Sequence, residues 1–140
     1  AKPIEFKGRF YEERLIHKTM RGELVRSKSE LLISDRLSAN NVDYMYEKPL
    51  TLDNETRYPD FTIEDMETGR VFYWEHCGMM LDPEYRKRWE RKLAWYRKHD
   101  IVSVDEGEGR AGTLIVTTEA HGFSSREIDF LIKNVILSTS

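Results

Sequence analysis

Two carboxylates stand where a folded chain would bring them together. Asp60 lies in Tyr58-Pro59-Asp60-Phe61-Thr62-Ile63 and Glu75 in Val71-Phe72-Tyr73-Trp74-Glu75-His76-Cys77-Gly78. Each acid interrupts an apolar or aromatic run that reads as a β-strand, and Asp65-Met66-Glu67-Thr68-Gly69-Arg70 between them reads as a hairpin turn. Gly69 supplies a residue free to take positive φ. A hairpin would set Asp60 beside Glu75, where two desolvated carboxylates repel unless a divalent cation joins them. The bland alternative is that each acid faces solvent from a half-buried strand. His76 alternates to the opposite face from Glu75, so its ring is expected to pack or hydrogen-bond. Cys77 is expected as a small buried filler, because one thiol makes a poor zinc site.

A second charge pattern complements the first. Arg86, Lys87, Arg88, Arg91, Lys92, Arg97 and Lys98 crowd into one segment, whereas the stretch from Asp43 to Glu67 is acid-rich. Cations on one element and carboxylates on another suit metal-assisted phosphodiester chemistry. A solvated helix face balanced by Glu84 and Glu90 would read the same way. The net charge of −3 argues against a protein that coats nucleic acid over its whole surface.

The elements that must hold these groups follow from periodicity. Residues 8–21 carry a loosely helical spacing closed by Gly22, so residues 1–26 are expected as a helical extension. Ser27 opens a helix to about Ser38 with Leu31, Leu32, Ile33 and Leu37 on its apolar side. Val42 to Leu50 alternates like a strand, and strands at about 60–65 and 71–76 follow. Asp82 with Pro83 is a strong helix start, and that helix runs to about His99 with Tyr85, Trp89, Leu93 and Tyr96 inward. Thr113 to Thr118 is β-branched, and Ser124 or Ser125 caps a last helix striped by Ile128, Leu131, Ile132, Val135 and Ile136. The order implies an α/β sandwich: an antiparallel meander of three strands, with a fourth strand returning parallel to a central one.

The ordered set Glu30, Pro59-Asp60 and Glu75 resembles the PD-(D/E)XK nuclease superfamily, over roughly residues 26–118. The resemblance implies a restriction-endonuclease-like αβββαβ core with a mixed four-stranded sheet flanked by helices. It implies Glu30, Asp60 and Glu75 as ligands, with the main-chain oxygen of His76, for Mg²⁺ or Mn²⁺. Glu30 also completes Ser-x-x-Glu with Ser27, a capping box. The family's lysine two positions after the glutamate is Cys77 here. Lys92 is the candidate replacement: Lys92 and Tyr96 resemble the Gln-x-x-x-Tyr pattern that a recombination-exonuclease branch carries on this helix. Lys28, Arg86, Arg88, Arg91, Arg97 and Tyr96 are the candidate nucleic-acid contacts. The expected activity is hydrolysis of phosphodiesters, DNA before RNA, with a helicase or a restriction or repair subunit as a fused or associated partner.

Two other readings compete. A catalytically silent nucleic-acid-binding or interaction module would explain the missing lysine. A cap-snatching-like RNA endonuclease would recruit a histidine, with His17 as candidate. Length bounds all three: 140 residues make one domain, and the chain opens on Ala1 without a methionine, as either a processed protein or an excised domain of a longer one would. A hydrophobic fraction of 39% predicts a folded core. The single cysteine suits a reducing, cytoplasmic setting, and no apolar run predicts a membrane span.

Overall fold

The computed structural model describes residues 15–120 and 123–138. A five-stranded mixed sheet organises them, with helices on both faces. Ahead of the sheet, β1 (His17–Lys18) and β2 (Leu24–Val25) form a small antiparallel hairpin. This corrects the expected helix over 8–21, as far as the described residues reach. Thr19 N–H donates to Glu23 O at 2.8 Å and Gly22 takes φ +98°, a turn that local apolar spacing does not reveal. The rest of that segment lies outside the described residues.

Helix α1 (Lys28–Ala39) starts where its cap predicts: Ser27 Oγ accepts from Glu30 N–H at 3.1 Å. Glu30, Ile33, Ser34 and Leu37 make its buried face, at the i, i+3, i+4, i+7 spacing of one helical stripe. The long strand expected from Val42 to Leu50 is shorter and divided. β3 (Met45–Tyr46) joins the main sheet, while β4 (Leu50–Leu52) pairs with β5 (Glu55–Arg57) in a separate hairpin. Its turn residues Asp53 and Asn54 both have positive φ, the pattern of a tight hairpin turn.

β6 (Phe61–Glu64) and β7 (Val71–Cys77) form the expected antiparallel hairpin, with Phe61 opposite Trp74 and Glu64 opposite Val71. Gly69 sits at φ +79°, and its N–H donates to Asp65 O at 2.7 Å. Helix α2 (Pro83–Lys98) follows, capped by Asp82, whose Oδ1 accepts from Glu84 N–H at 3.0 Å. It leads to β8 (Ile101–Ser103) and β9 (Gly112–Thr118), and β9 runs parallel to both β7 and β8. The sheet order is β3-β6-β7-β9-β8, so a fifth strand extends the expected four. Three residues from Ile101 carry too little pattern to announce a strand. Between β8 and β9, a Cβ at Gly109 would lie 2.2 Å from Gly112 O and 2.5 Å from Asp100 O, so that loop position must be glycine. Helix α3 (Ser125–Leu131), capped by Ser124, continues into a π-turn over Ile132–Ile136.

The two faces of the sheet differ. On one, Phe61, Ile63, Phe72, Trp74 and Ile115 meet Ile33 and Leu37 of α1 and Ile128, Ile132 and Ile136 of the last helix. On the other, Tyr73, Leu114 and Ile101 meet Trp95 and Tyr96 of α2, with Leu50 and Leu52 of the β4–β5 hairpin alongside. Trp95, which the expected inward stripe omits, is buried, whereas Trp89 is only half-buried. The β4–β5 hairpin covers the flank of α2 where Trp95 projects, and Trp95 Nε1–H donates to Glu55 Oε1 at 2.9 Å. No helix among the described residues is long and apolar enough to cross a membrane.

Candidate active site

Asp60 immediately precedes β6 and Glu75 lies near the end of β7, so antiparallel pairing brings them to one end of the sheet. Continuing the register of Phe61 with Trp74 by one residue sets Asp60 across from Glu75. Both are buried, Asp60 at 2% exposure and Glu75 at 4%. An ionised carboxylate this deep requires compensation.

Glu75 finds its compensation on α2. Lys92 Nζ lies 2.7 Å from Glu75 Oε2, and the same oxygen accepts from Tyr96 O–H at 2.5 Å. Residues four apart lie on one helical face, which is why both reach one oxygen. Lys92 also donates to Tyr58 O at 3.1 Å, tying the helix to the segment that leads into Asp60. Its side chain is nine-tenths buried, although lysine in a basic run ordinarily points to water. The amine therefore stands beside Glu75, where the carboxylate compensates its charge. Asp60 is anchored differently: its Oδ2 accepts from His76 N–H at 2.7 Å, so main chain at the end of β7 holds it.

Glu30, 7% exposed, belongs to an adjoining network. Its Oε1 accepts from Tyr46 O–H at 2.5 Å and from Arg26 N–H at 3.1 Å. The carboxylate thus reaches back beyond its cap, while Ser27 accepts the Glu30 N–H in the usual way. Arg26 forms a buried two-pronged pair with Glu47, Nε to Oε2 at 2.7 Å and Nη2 to Oε1 at 3.2 Å. Glu47 N–H in turn donates to Asp60 O at 3.0 Å, so the network ends on the candidate site. Burial, reinforced by the charges of Glu30, Glu47 and Asp60, pushes the Tyr46 phenol far above its ordinary pKa and keeps it a donor.

Several expectations change. Among the described residues no three His, Cys, Asp or Glu side chains are grouped to hold a metal ion. Glu30 is bonded to Tyr46 and Arg26, in the network that adjoins Asp60. Tyr96 is completely buried and cannot stack on nucleic acid; its ring packs between Tyr73 and Trp95. The His76 ring lies on the opposite face from Glu75, as strand alternation predicts. There its Nδ1 is 2.8 Å from Thr117 Oγ1, its Nε2 is 2.6 Å from Glu119 Oε2, and it stacks on Phe123. Ser29 O–H also reaches Glu119, and with His76 it holds that carboxyl below its usual range. Any metal contact by His76 would fall to its main-chain oxygen. His17, the candidate for an RNA site, is in a strand rather than a helix.

The basic contacts also divide. Arg91 and Lys28 are exposed, as are Lys87 and Lys98. Arg97 pairs with Glu106 at 3.1 Å, and Arg86 Nη1 donates to Met80 O at 2.8 Å. Arg88, one turn before Lys92, is half-buried with an Nε that has no partner among the described residues. Sequence reasoning missed Arg26, Tyr46, Glu47 and the Tyr58 carbonyl. The signal available for Tyr46-Glu47 was a polar pair at the end of a short strand, which alone does not separate a site from a turn. Glu47 has φ +53°, uncommon for a residue with a side chain and set by the bend that aims it at Arg26.

No family model matches the chain, and no solved structure matches it. An alignment 91 positions long, covering 63% of the chain, is 31% identical to an uncharacterized protein of Methanocaldococcus jannaschii. The chain spans only 8% of that relative's length, so the similarity concerns one segment of a far longer protein.

Proposed function

We propose that the chain is a metal-dependent phosphodiesterase domain acting on nucleic acid, on DNA before RNA. The observation that carries this reading is the convergence of a buried lysine on a buried glutamate beside a buried aspartate, with Lys92 Nζ 2.7 Å from Glu75 Oε2. Enzymes hold lysine in such places to manage charge that develops during reaction.

The donor set suits a hard divalent cation. Asp60 and Glu75 offer carboxylate oxygens and His76 a main-chain oxygen, the ligand types that Mg²⁺ and Mn²⁺ prefer. Such an ion, when bound, would neutralise phosphoryl oxygens and acidify an attacking water. Asp60, fixed by the His76 N–H, would hold its carboxylate in place without reorganisation. Lys92 would orient the water and stabilise the leaving oxygen, and Tyr96 would keep Glu75 pointed at the site. Arg88, Arg91 and Lys87 would contact the phosphate backbone, positioning the strand without reading its bases. Hydrolysis then breaks one P–O bond and forms another: the attacking water gives up a proton to solvent, and the leaving oxygen takes one up from solvent to depart as the alcohol.

A second reading has its own observation. Glu75 already has Lys92 as counter-ion, so the carboxylates are compensated without any cation, as in a catalytically silent nucleic-acid-binding module. Cleavage assays on DNA and RNA with Mn²⁺, run beside thermal melting, separate the two. The enzyme reading expects cleavage by the wild type and a loss of at least ~100-fold in Lys92→Ala and Asp60→Asn. Mn²⁺ should raise the melting temperature of the wild type and not of Asp60→Asn. In Lys92→Ala the Mn²⁺ shift should persist or grow, because the ammonium no longer competes for Glu75. Absence of cleavage, with the same Mn²⁺ response in all three proteins, would establish the silent module.

A further inference from the structure

The segment between β7 and α2, Gly78-Met79-Met80-Leu81-Asp82, carries apolar side chains that the fold does not use. Leu81 is 95% exposed and Met79 57% exposed, and neither belongs to either apolar cluster of the core. Leu81 directly precedes the helix cap Asp82, where a hydrophobic residue commonly packs onto the fourth residue of the helix. That residue here is Arg86, whose guanidinium turns to Met80 O at 2.8 Å instead. Among the described residues Leu81 therefore lacks the packing partner that this position commonly has. Nor is the segment a loose loop. Asp82 N–H donates to Met79 O at 3.0 Å and Gly78 N–H to Tyr85 Oη at 3.1 Å. Asp82 also caps the helix through Glu84 N–H at 3.0 Å. Together these bonds hold an apolar tip rigid and outward.

Its surroundings say what meets it. The tip begins one residue after Cys77, the end of the strand that carries Glu75. Between positions 82 and 98 the chain has seven cationic residues against Asp82, Glu84 and Glu90; Lys92 is buried on Glu75 and Arg97 pairs with Glu106, which leaves Arg86, Lys87, Arg88, Arg91 and Lys98. Lys87 and Arg91, four apart, are both exposed. An apolar protein partner would have to desolvate these cations; a polyanion with apolar faces inside it would not. Nucleic acid has that chemistry: phosphates outside and base faces within reach once a step is unstacked.

We propose that Met79 and Leu81 form a wedge that inserts at the end or branch point of a DNA duplex, so that the site prefers frayed or forked ends over continuous duplex. The inference rests on the nucleic-acid reading of the Asp60–Glu75–Lys92 site and adds the substrate class. Apolar side chains inserted between base steps are a general means of kinking or opening a duplex, and the cationic helix supplies the backbone affinity.

The test is equilibrium binding of the full chain in EDTA to three fluorescent DNAs of one sequence: blunt duplex, forked duplex and single strand. Unstacking is costly in a closed duplex and already done at a fork, so the fork should bind at least ~10-fold tighter than the blunt duplex. Leu81→Ser and Met79→Ser should reduce fork binding to the blunt-duplex level and leave blunt binding unchanged. Both positions are exposed, so their melting temperatures should match the wild type. A 2-aminopurine at the fork should brighten on wild-type binding and not with Leu81→Ser. Lys87→Ala should weaken all three complexes alike. Equal affinity for fork and blunt duplex, or an unaltered preference in Leu81→Ser, overturns the wedge. Loss of self-association in Leu81→Ser without any DNA binding would assign the tip to a second copy of the chain and overturn it too. Because no cleavage is read, a protein that prefers forks but never cuts with Mn²⁺ would sink the enzyme reading alone.

Discussion

The two faces of the central sheet solve opposite problems with the same strands. The face under α1 and the last helix is dry: Phe61, Phe72, Trp74 and Ile115 alternate inward and meet isoleucines and leucines. The face under α2 carries Tyr73, then Glu75, then the buried ends of Lys92 and Tyr96. One residue along β7 separates Trp74 from Glu75, so the strand's pleat alone assigns a side chain to packing or to charge. Stability should reside mostly on the dry face, and whatever the domain does should depend on the charged one. A fold that keeps a buried ion pair gains little stability from it, since desolvation offsets most of the attraction.

The largest expected effect tests the dry face. Trp74→Ala removes a fully buried ring and leaves Thr117 without the indole N–H that donates to it at 3.1 Å. It should cost about 3–5 kcal/mol in urea unfolding. A much smaller loss would mean that α1 and the last helix can collapse into the gap, and that the dry face is not the stabilising one.

Next comes the charged face. Lys92→Met removes the ammonium that lies 2.7 Å from buried Glu75, and breaking such a pair should cost about 3 kcal/mol at neutral pH. Replacing both partners by methionine should recover most of that loss, because two apolar side chains need no compensation. If the double variant is as unstable as the single one, Lys92 contributes through its packing rather than its charge. Tyr96→Phe is gentler. It keeps the ring between Tyr73 and Trp95 and deletes the hydroxyl that donates to Glu75, for a loss of about 1–3 kcal/mol.

This contrast was only half legible in the sequence. The hairpin of β6 and β7 was, because Gly69 and the flanking apolar runs specify turn and register together. The caps Ser27, Asp82 and Ser124 were as well, since each makes the side-chain bond its residue type implies. The convergence of Asp60 and Glu75 followed from that register, and Lys92 reaching Glu75 followed from its place beside the inward stripe of α2. What escaped were features set by distant chain. Arg26 and Glu47 are twenty-one residues apart and meet only because β3 returns beside the start of α1. Trp95 is buried because the β4–β5 hairpin, split from an apparently continuous strand, folds over α2. Tyr96 was expected at the nucleic acid and lies in the core, because its hydroxyl is needed by Glu75.

The smallest expected effect lies at the rim of the dry face, where Arg36 of α1 meets Asp129 of the last helix. Nε donates to Oδ1 at 2.8 Å and Nη2 to Oδ2 at 2.9 Å, a two-pronged geometry, although both side chains remain partly in water. The bonds from Arg36 hold the Asp129 carboxyl below the usual range, and Asn40 adds to this. A carboxyl whose pKa is depressed on folding contributes stability above its unfolded pKa of ~3.9 and loses it as pH falls through the folded value. Asp129→Asn should therefore be less stable than the wild type at pH 7, by no more than about 1 kcal/mol for so exposed a pair. Measured as urea midpoints, the two proteins should converge as pH drops below ~4, where the wild-type carboxyl takes up its proton. A gap for Asp129→Asn that stays constant down to low pH would show that the rim pair acts by packing α1 against the last helix, and not by charge.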